Sequence, residues 1–183
     1  IKGCIEKLHA HGIRIHGMFV LGSDEDTVDT IHKTVEFAKK QDLESIQFMI
    51  LTPLPGTRFF HEMEAQDRLI SRDWSLYDAH HVVFEPKGMS SYELQLETLN
   101  ATARFYSIGQ ILKRFARFDM FNVSIKTYGR SLTKKWAVKN RYFLEYTKVL
   151  TSAGRRIELA AKKTAEDIKE RFRQVEIWLN LRG

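Results

Sequence analysis

The chain of 183 residues has a single cysteine, Cys4. One thiol excludes an internal disulfide and any multi-cysteine cluster built from this chain alone. Its place in a helix-like opening predicts a small buried hydrophobe rather than a reactive group. Apolar runs are short, and none reaches the roughly 18 to 20 residues that cross a bilayer, so nothing supports a transmembrane helix. A charged n-region followed by an apolar h-region is also missing from the start. Position 1 is Ile, and Ile1 to His11 reads as the tail of a helix. The expectation is therefore a chain that begins inside a longer, cytoplasmic polypeptide. The histidines lack HExxH spacing, and the adjacent His80 and His81 would point to opposite faces of a strand, so no metal site is predicted. His9, His11, His32 and His61 are individually uninformative, and His16 reads as a packed or hydrogen-bonded core residue. Acidic residues become scarce in the second half. Residues 1–100 hold ten Lys and Arg against sixteen Asp and Glu, a balance of −6, whereas residues 101–183 hold nineteen against seven, a balance of +12. This split predicts an acidic α/β part followed by a basic helical part. The basic part would touch an anionic partner or neutralise the acidic part of its own chain.

What is present is organised around Gly12 to Thr57. Arg14 to Leu21 is an apolar, β-branched strand that contains Gly17 and stops at Gly22. The acidic turn Ser23-Asp24-Glu25-Asp26 follows, and Ser23 or Asp24 can cap the next helix. That helix carries Val28, Ile31, Val35 and Ala38 at spacings of three and four and ends near Gln41. A second strand, Ser45 to Leu51, runs into Thr52-Pro53-Leu54-Pro55-Gly56-Thr57, where two prolines forbid further pairing. This is a βαβ unit with parallel neighbouring strands, and such units carry their chemistry at the carboxyl ends of the strands. Those ends are the acidic turn and the proline loop. Gly17 reads either as a bulge or close helix crossing, or as a point of ligand approach. Gly22 stands at a strand end, where either reading applies.

Thr57 predicts the cap of a short helix with Phe59, Phe60 and Met63. Asp73 to Gly88 reads as a surface excursion with one small strand, His81 to Phe84. Ser90-Ser91-Tyr92-Glu93 is a capping box. It opens a long helix with a stripe of Leu96, Leu99, Ala103, Tyr106 and Ile111, broadened by Phe105, Phe115, Phe118 and Phe121 as core, and closed at Asp119 to Asn122. Basic-aromatic helices are predicted from Leu132 to Val149 and from Arg155 to Leu181, separated at Thr151 to Gly154.

Phe19 to Thr27, FVLGSDEDT, taken with Leu51 to Thr57, LTPLPGT, resembles the C-terminal half of a radical S-adenosylmethionine enzyme. Asp73 to Ser90, DWSLYDAHHVVFEPKGMS, resembles the continuation found in the branch that carries an upstream cobalamin-binding domain. The resemblance covers residues 1–118. It implies an α/β fold in which a partial (β/α) barrel with parallel strands occupies residues 1–88, with a mainly helical extension over residues 89–183. The two strands would be the fifth and sixth of the barrel. It also implies a [4Fe-4S] cluster held by a CxxxCxxC triplet, S-adenosylmethionine bound at the open iron, and, in that branch, cobalamin. The chemistry would be reductive cleavage to a 5′-deoxyadenosyl radical, followed by hydrogen abstraction or methyl transfer. Gly17, Gly22 and Asp26 match residues near the adenosine portion, with Asp24 in the same turn, and Thr52 and Pro53 belong to the loop at the mouth of the barrel. Asp24 replaces the usual proline of this turn, and Asp26 stands where a glutamate is usual. The triplet is missing from this chain. The implied partner is thus the N-terminal half of the same polypeptide, and the isolated chain is expected to be inactive and to pair with a second copy through its exposed edge.

A different class competes with this reading. From Lys126 to Lys163, eleven Lys and Arg face two acids, interleaved with Tyr128, Trp136, Tyr142 and Tyr146. Such a surface suits a binding module without catalysis, for nucleic acid or protein. No nucleic-acid recognition motif accompanies the charge, so the expectation is a partner other than nucleic acid.

Overall fold

Strand-forming residues in the first fifty positions and helix formers thereafter set the architecture. The computed structural model describes residues 1–154, 156, 157 and 164. Helix α1 (Lys2–Ala10) ends at His11, and Gly12 takes φ +72°, as a left-handed helix terminus requires. Strand β1 (His16–Leu21), helix α2 (Val28–Lys40) and strand β2 (Ser45–Ile50) follow. β1 and β2 pair in parallel, with His16 opposite Ser45 and Leu21 opposite Ile50. Helix α3 (Arg58–Ala65) is capped by Thr57, as its sequence predicts. After a single 3₁₀ turn at Trp74–Leu76 come α4 (Ser91–Phe105), α5 (Ile108–Phe115) and α6 (Met120–Lys139). The chain divides into two compact units, Ile1–Leu144 and one that begins at Glu145, and all the named elements belong to the first.

Period-2 alternation gives the sheet two unlike faces. Ile46, Phe48 and Ile50 of β2, with Leu21 of β1, are buried together with Ile31, Val35 and Ala38 of α2. Each large aliphatic side chain among them contributes about 1.5–3 kcal/mol by leaving water. On the other face Met18 and Val20 remain 59% and 56% exposed. α4 packs against α2 and β2, and α6 packs against α5 and α4.

Several expectations are corrected. Neither Ser23 nor Asp24 caps α2: Thr27 does, in a reciprocal capping box with Thr30. His81 to Phe84 is not a strand of the sheet. It makes one isolated antiparallel bridge, Leu69 to Phe84, and Val82, Val83 and Phe84 are fully buried rather than on the surface. The long helix after Ser90 is broken twice, at Tyr106–Ser107 and at Ala116–Asp119, where Phe118 has φ +55°. Asp119 opens α6 instead of closing a helix, its side chain accepting from the Asn122 amide. In α4 the buried apolar side is Leu94, Ala101 and Phe105, one step round from the Leu96–Leu99–Ala103 stripe. Phe115, Phe118 and Phe121, expected in the core, are 59%, 87% and 45% exposed. Cys4, expected to be buried, is exposed, as is His16. Residues 151–154 are helical rather than a break. The helix expected from Arg155 to Leu181 lies almost wholly outside the described residues.

Candidate functional site

The two strand ends build the site. After β1, Gly22 turns the chain at φ +104°, and a Cβ there would meet Leu94 Cδ2 at 2.6 Å, so only glycine fits both the dihedral and the packing. Asp26 folds back, and one of its oxygens, Oδ2, accepts from the Gly22 and Ser23 amides, each at 2.9 Å. Asp24 accepts from both terminal nitrogens of Arg68, with Nη1 to Oδ2 at 3.1 Å, and pairs with Lys87 Nζ at 3.1 Å. The hydrogen bonds from Arg68, helped by Lys87, hold the Asp24 carboxyl down at about 2. Arg68 Nε donates to the Glu85 carbonyl at 2.7 Å, so one guanidinium ties the turn to the segment before α4. Gly88 closes the other side, since a Cβ there would lie 2.0 Å from the Asp26 carbonyl oxygen.

After β2, the Thr52 hydroxyl donates to the Ile50 carbonyl at 3.0 Å and Pro53 is buried. Gly56 at φ +80° and the Thr57 hydroxyl, donating to the Leu54 carbonyl at 2.7 Å, complete a rigid loop. Gly22, Asp24 and Asp26 are thus held in one turn at the end of β1, while Thr52 and Pro53 follow the neighbouring strand. Gly17 lies apart from them within β1, on the core face, where a Cβ would meet Leu43 Cδ1 at 2.8 Å. The carboxylates of Asp24 and Asp26 are both engaged by protein donors, while Glu25 is exposed. What Asp24 and Asp26 offer a ligand is a fixed backbone rather than a free acid. Arg68 lies outside every motif, and Lys87 and Gly88 fall within the Asp73–Ser90 run without a local signal that joins them to the turn, which all three meet over more than 40 residues.

A second feature lies along β2. In its ladder Leu51 donates to Leu21 and Ser45 to Ile15, so the alternate residues Ile46, Phe48 and Ile50 turn their amides and carbonyls to the opposite, free edge. The Tyr106 hydroxyl meets both groups of Ile46, at 2.9 and 2.8 Å, and the Ile50 amide meets the Ala79 carbonyl. Between them Phe48 borders a groove of ≈ 670 Å³ bounded by β2, α4 and α6. Among the described residues, no three His, Cys, Asp or Glu side chains come together to hold a metal ion, and no helix is long and apolar enough to cross a membrane.

No family model matches the chain. Its curated relatives include methyltransferases. The chain is 36% identical over 113 residues to bacteriochlorophyllide d C-12(1)-methyltransferase of Chlorobaculum tepidum, which is 62% of this chain and 24% of that protein. It is 31% identical over 110 residues to bacteriochlorophyllide d C-8(2)-methyltransferase of the same organism, 60% of this chain and 24% of the relative. It is 28% identical over 105 residues to the anaerobic magnesium-protoporphyrin IX monomethyl ester cyclase of Cereibacter sphaeroides, 57% and 17% respectively. The chain therefore spans about a quarter or less of the length of these relatives.

Proposed function

We propose that this chain is the C-terminal part of a radical S-adenosylmethionine methyltransferase, comprising the last two strands of its partial barrel and a helical extension. The observation that carries the reading is the bare face of a parallel sheet. Parallel sheets are covered on both faces in almost all proteins. Here Met18 and Val20 are more than half exposed, and among the described residues no strand lies beside the outer edge of β1. A sheet of this kind calls for further strands, and relatives of which the matched stretch is a quarter or less have the chain to supply them.

The residues present do not fit the iron-sulfur cluster, because three thiolates are needed and the single one, Cys4, is exposed on α1. Those ligands belong upstream, and cobalamin is assigned no residue here. For S-adenosylmethionine the fit is partial. When bound, it supplies the methyl group or the radical precursor. Gly22, with Asp26 clamping its amide, fixes the strand end against which the adenosine portion would lie, and Thr52 and Pro53 shape the neighbouring wall. Asp24 acts at one remove, by holding the turn to Arg68.

Anaerobic reconstitution of the full reading frame tests this. Expected are about four irons and four sulfides per polypeptide and cleavage of S-adenosylmethionine, neither of which the 183-residue chain alone supports. A reading frame without CxxxCxxC upstream of Ile1, or a stoichiometric cluster on the short chain, would overturn it.

One observation favours the binding-module reading: Tyr128 and Tyr142 are 65% and 73% exposed among the exposed Lys134, Lys135, Lys139 and Arg141. Phosphate binding would show as anisotropy of a labelled oligonucleotide that falls steeply with salt. The enzyme reading expects no binding at about 0.15 M salt.

A further inference from the structure

The groove beside β2 is built within Ile1–Leu144 and stands independently of the barrel reading. Its volume, ≈ 670 Å³, falls within the range of small-molecule sites. Phe48, Leu99, Tyr106, Leu132 and Trp136 give it an apolar and largely aromatic wall. Among the described residues, the charged side chains on that wall are Lys135 and Lys139, the imidazoles of His16 and His80 also border it, and no Asp or Glu lines it. The Phe48 amide and carbonyl, by the alternation of the ladder, turn to the same side of β2.

We infer that this groove binds a small organic anion: a flat conjugated-ring body against Tyr106, Leu132 and Trp136, with a carboxylate reaching Lys135 and Lys139 at the mouth. Aromatic walls favour a ring over an alkyl chain through offset and edge-on ring contacts. A rim of one sign selects the anion over its neutral analogue. Close approach of α6 to the wall depends on Gly129, where a Cβ would lie 2.6 Å from the Tyr106 ring. The groove is therefore a set feature of this helix crossing.

The 183-residue chain is titrated with 1-pyrenebutanoate, 1-pyrenemethanol and dodecanoate, following ligand fluorescence and quenching of tryptophan emission. Expected is saturable binding of about one pyrenebutanoate per chain, at least about tenfold tighter than dodecanoate. Lys135→Glu with Lys139→Glu should weaken pyrenebutanoate by about tenfold and leave pyrenemethanol unchanged. Leu132→Trp, on a half-exposed position that tolerates a larger side chain, should fill the groove and weaken both pyrene ligands by about tenfold. Unchanged affinity in both Leu132→Trp and the double lysine variant, with native circular dichroism, would overturn the proposal. So would equal affinity for dodecanoate, or the absence of saturable binding in the parent chain.

Discussion

Two charged side chains show how burial sets their behaviour. Lys126 of α6 is only 2% exposed, and its Nζ sits 3.7 Å from the centroid of the Phe105 ring. Burial, assisted by the like charge of Arg114, lowers its pKa to about 8, against the opposing pull of Asp42, Glu44 and Asp119. Its folded value lies below its unfolded one. Between about pH 8 and pH 10.5 the unfolded chain thus binds the extra proton, and stability rises with pH across that window. The shift corresponds to at most about 3 kcal/mol at neutral pH. Lys126→Met is expected to stabilise the fold by about 1–2 kcal/mol at pH 7 after loss of the cation–ring contact, and to remove the alkaline rise. Denaturant midpoints at pH 7 and pH 9.5 check this, and a destabilised variant would show that the cation is held by its neighbours at net benefit. Asp24 works in the opposite sense. Its folded value is depressed, so its contribution is complete above about pH 4 and is lost as pH falls through about 2. Asp24→Asn should lower the melting temperature above pH 4 by a few degrees, with the difference from the parent closing toward pH 2. Legibility at this scale was uneven. The glycine at the strand end and the acidic turn were visible in the sequence. Arg68 and Lys87, 44 and 63 positions away from Asp24, and the buried lysine were not, because their roles come from tertiary neighbours.

Among the elements, local signals did well where the chemistry is local. Thr57, the Ser90–Glu93 box, both strands and α2 follow from caps and periodicity alone. The cap of α2 went to Thr27 because Asp26 is recruited by the Gly22 and Ser23 amides, a competition that spacing does not rank. The breaks between α4, α5 and α6 lack proline; Asp119 marks the second, as the cap that opens α6, whereas Ser107 stands at the first without a side-chain cap bond. Tyr106 explains the first break. It leaves the helix to place its hydroxyl on the free edge of β2, accepting from the Ile46 amide and donating to the Ile46 carbonyl. An edge strand buried beneath helices requires such a partner. Tyr106→Phe would leave both groups unmet and should cost about 2–4 kcal/mol. Equilibrium unfolding measures the loss, and amide exchange at Ile46 should accelerate well beyond that of Ile31. A cost below about 0.5 kcal/mol would mean that water takes the place of the hydroxyl.

At the scale of the molecule, the charge split is partly internal. Arg114, from the basic half, pairs with Asp42 at 2.6 Å, and also with Asp119 at 3.2 Å. Basic residues thus neutralise the acidic base of the sheet, one of the two roles that composition allowed. What composition could not reveal is how much apolar surface remains open, because hydrophobic periodicity marks a face without saying what covers it. Met18 and Val20 project from one face of β1, while the amides and carbonyls of His16, Met18 and Val20 point along its unpaired edge. Open edges of this kind, with apolar side chains beside them, recruit other strands. The isolated chain should therefore self-associate through β1, with a dimer population that grows across the micromolar range in sedimentation velocity. Met18→Lys with Val20→Lys leaves the β1–β2 ladder and the buried face untouched, and places two cations where a second strand or sheet would pack. This variant should remain monomeric over the same range with its melting temperature changed by only a few degrees. If it dimerises as the parent does, association runs through another surface, such as the exposed Leu112, Phe115 and Phe118 around α5. If the parent is a monomer throughout, the bare face is tolerated in water, and the incomplete sheet loses its force as support for missing strands.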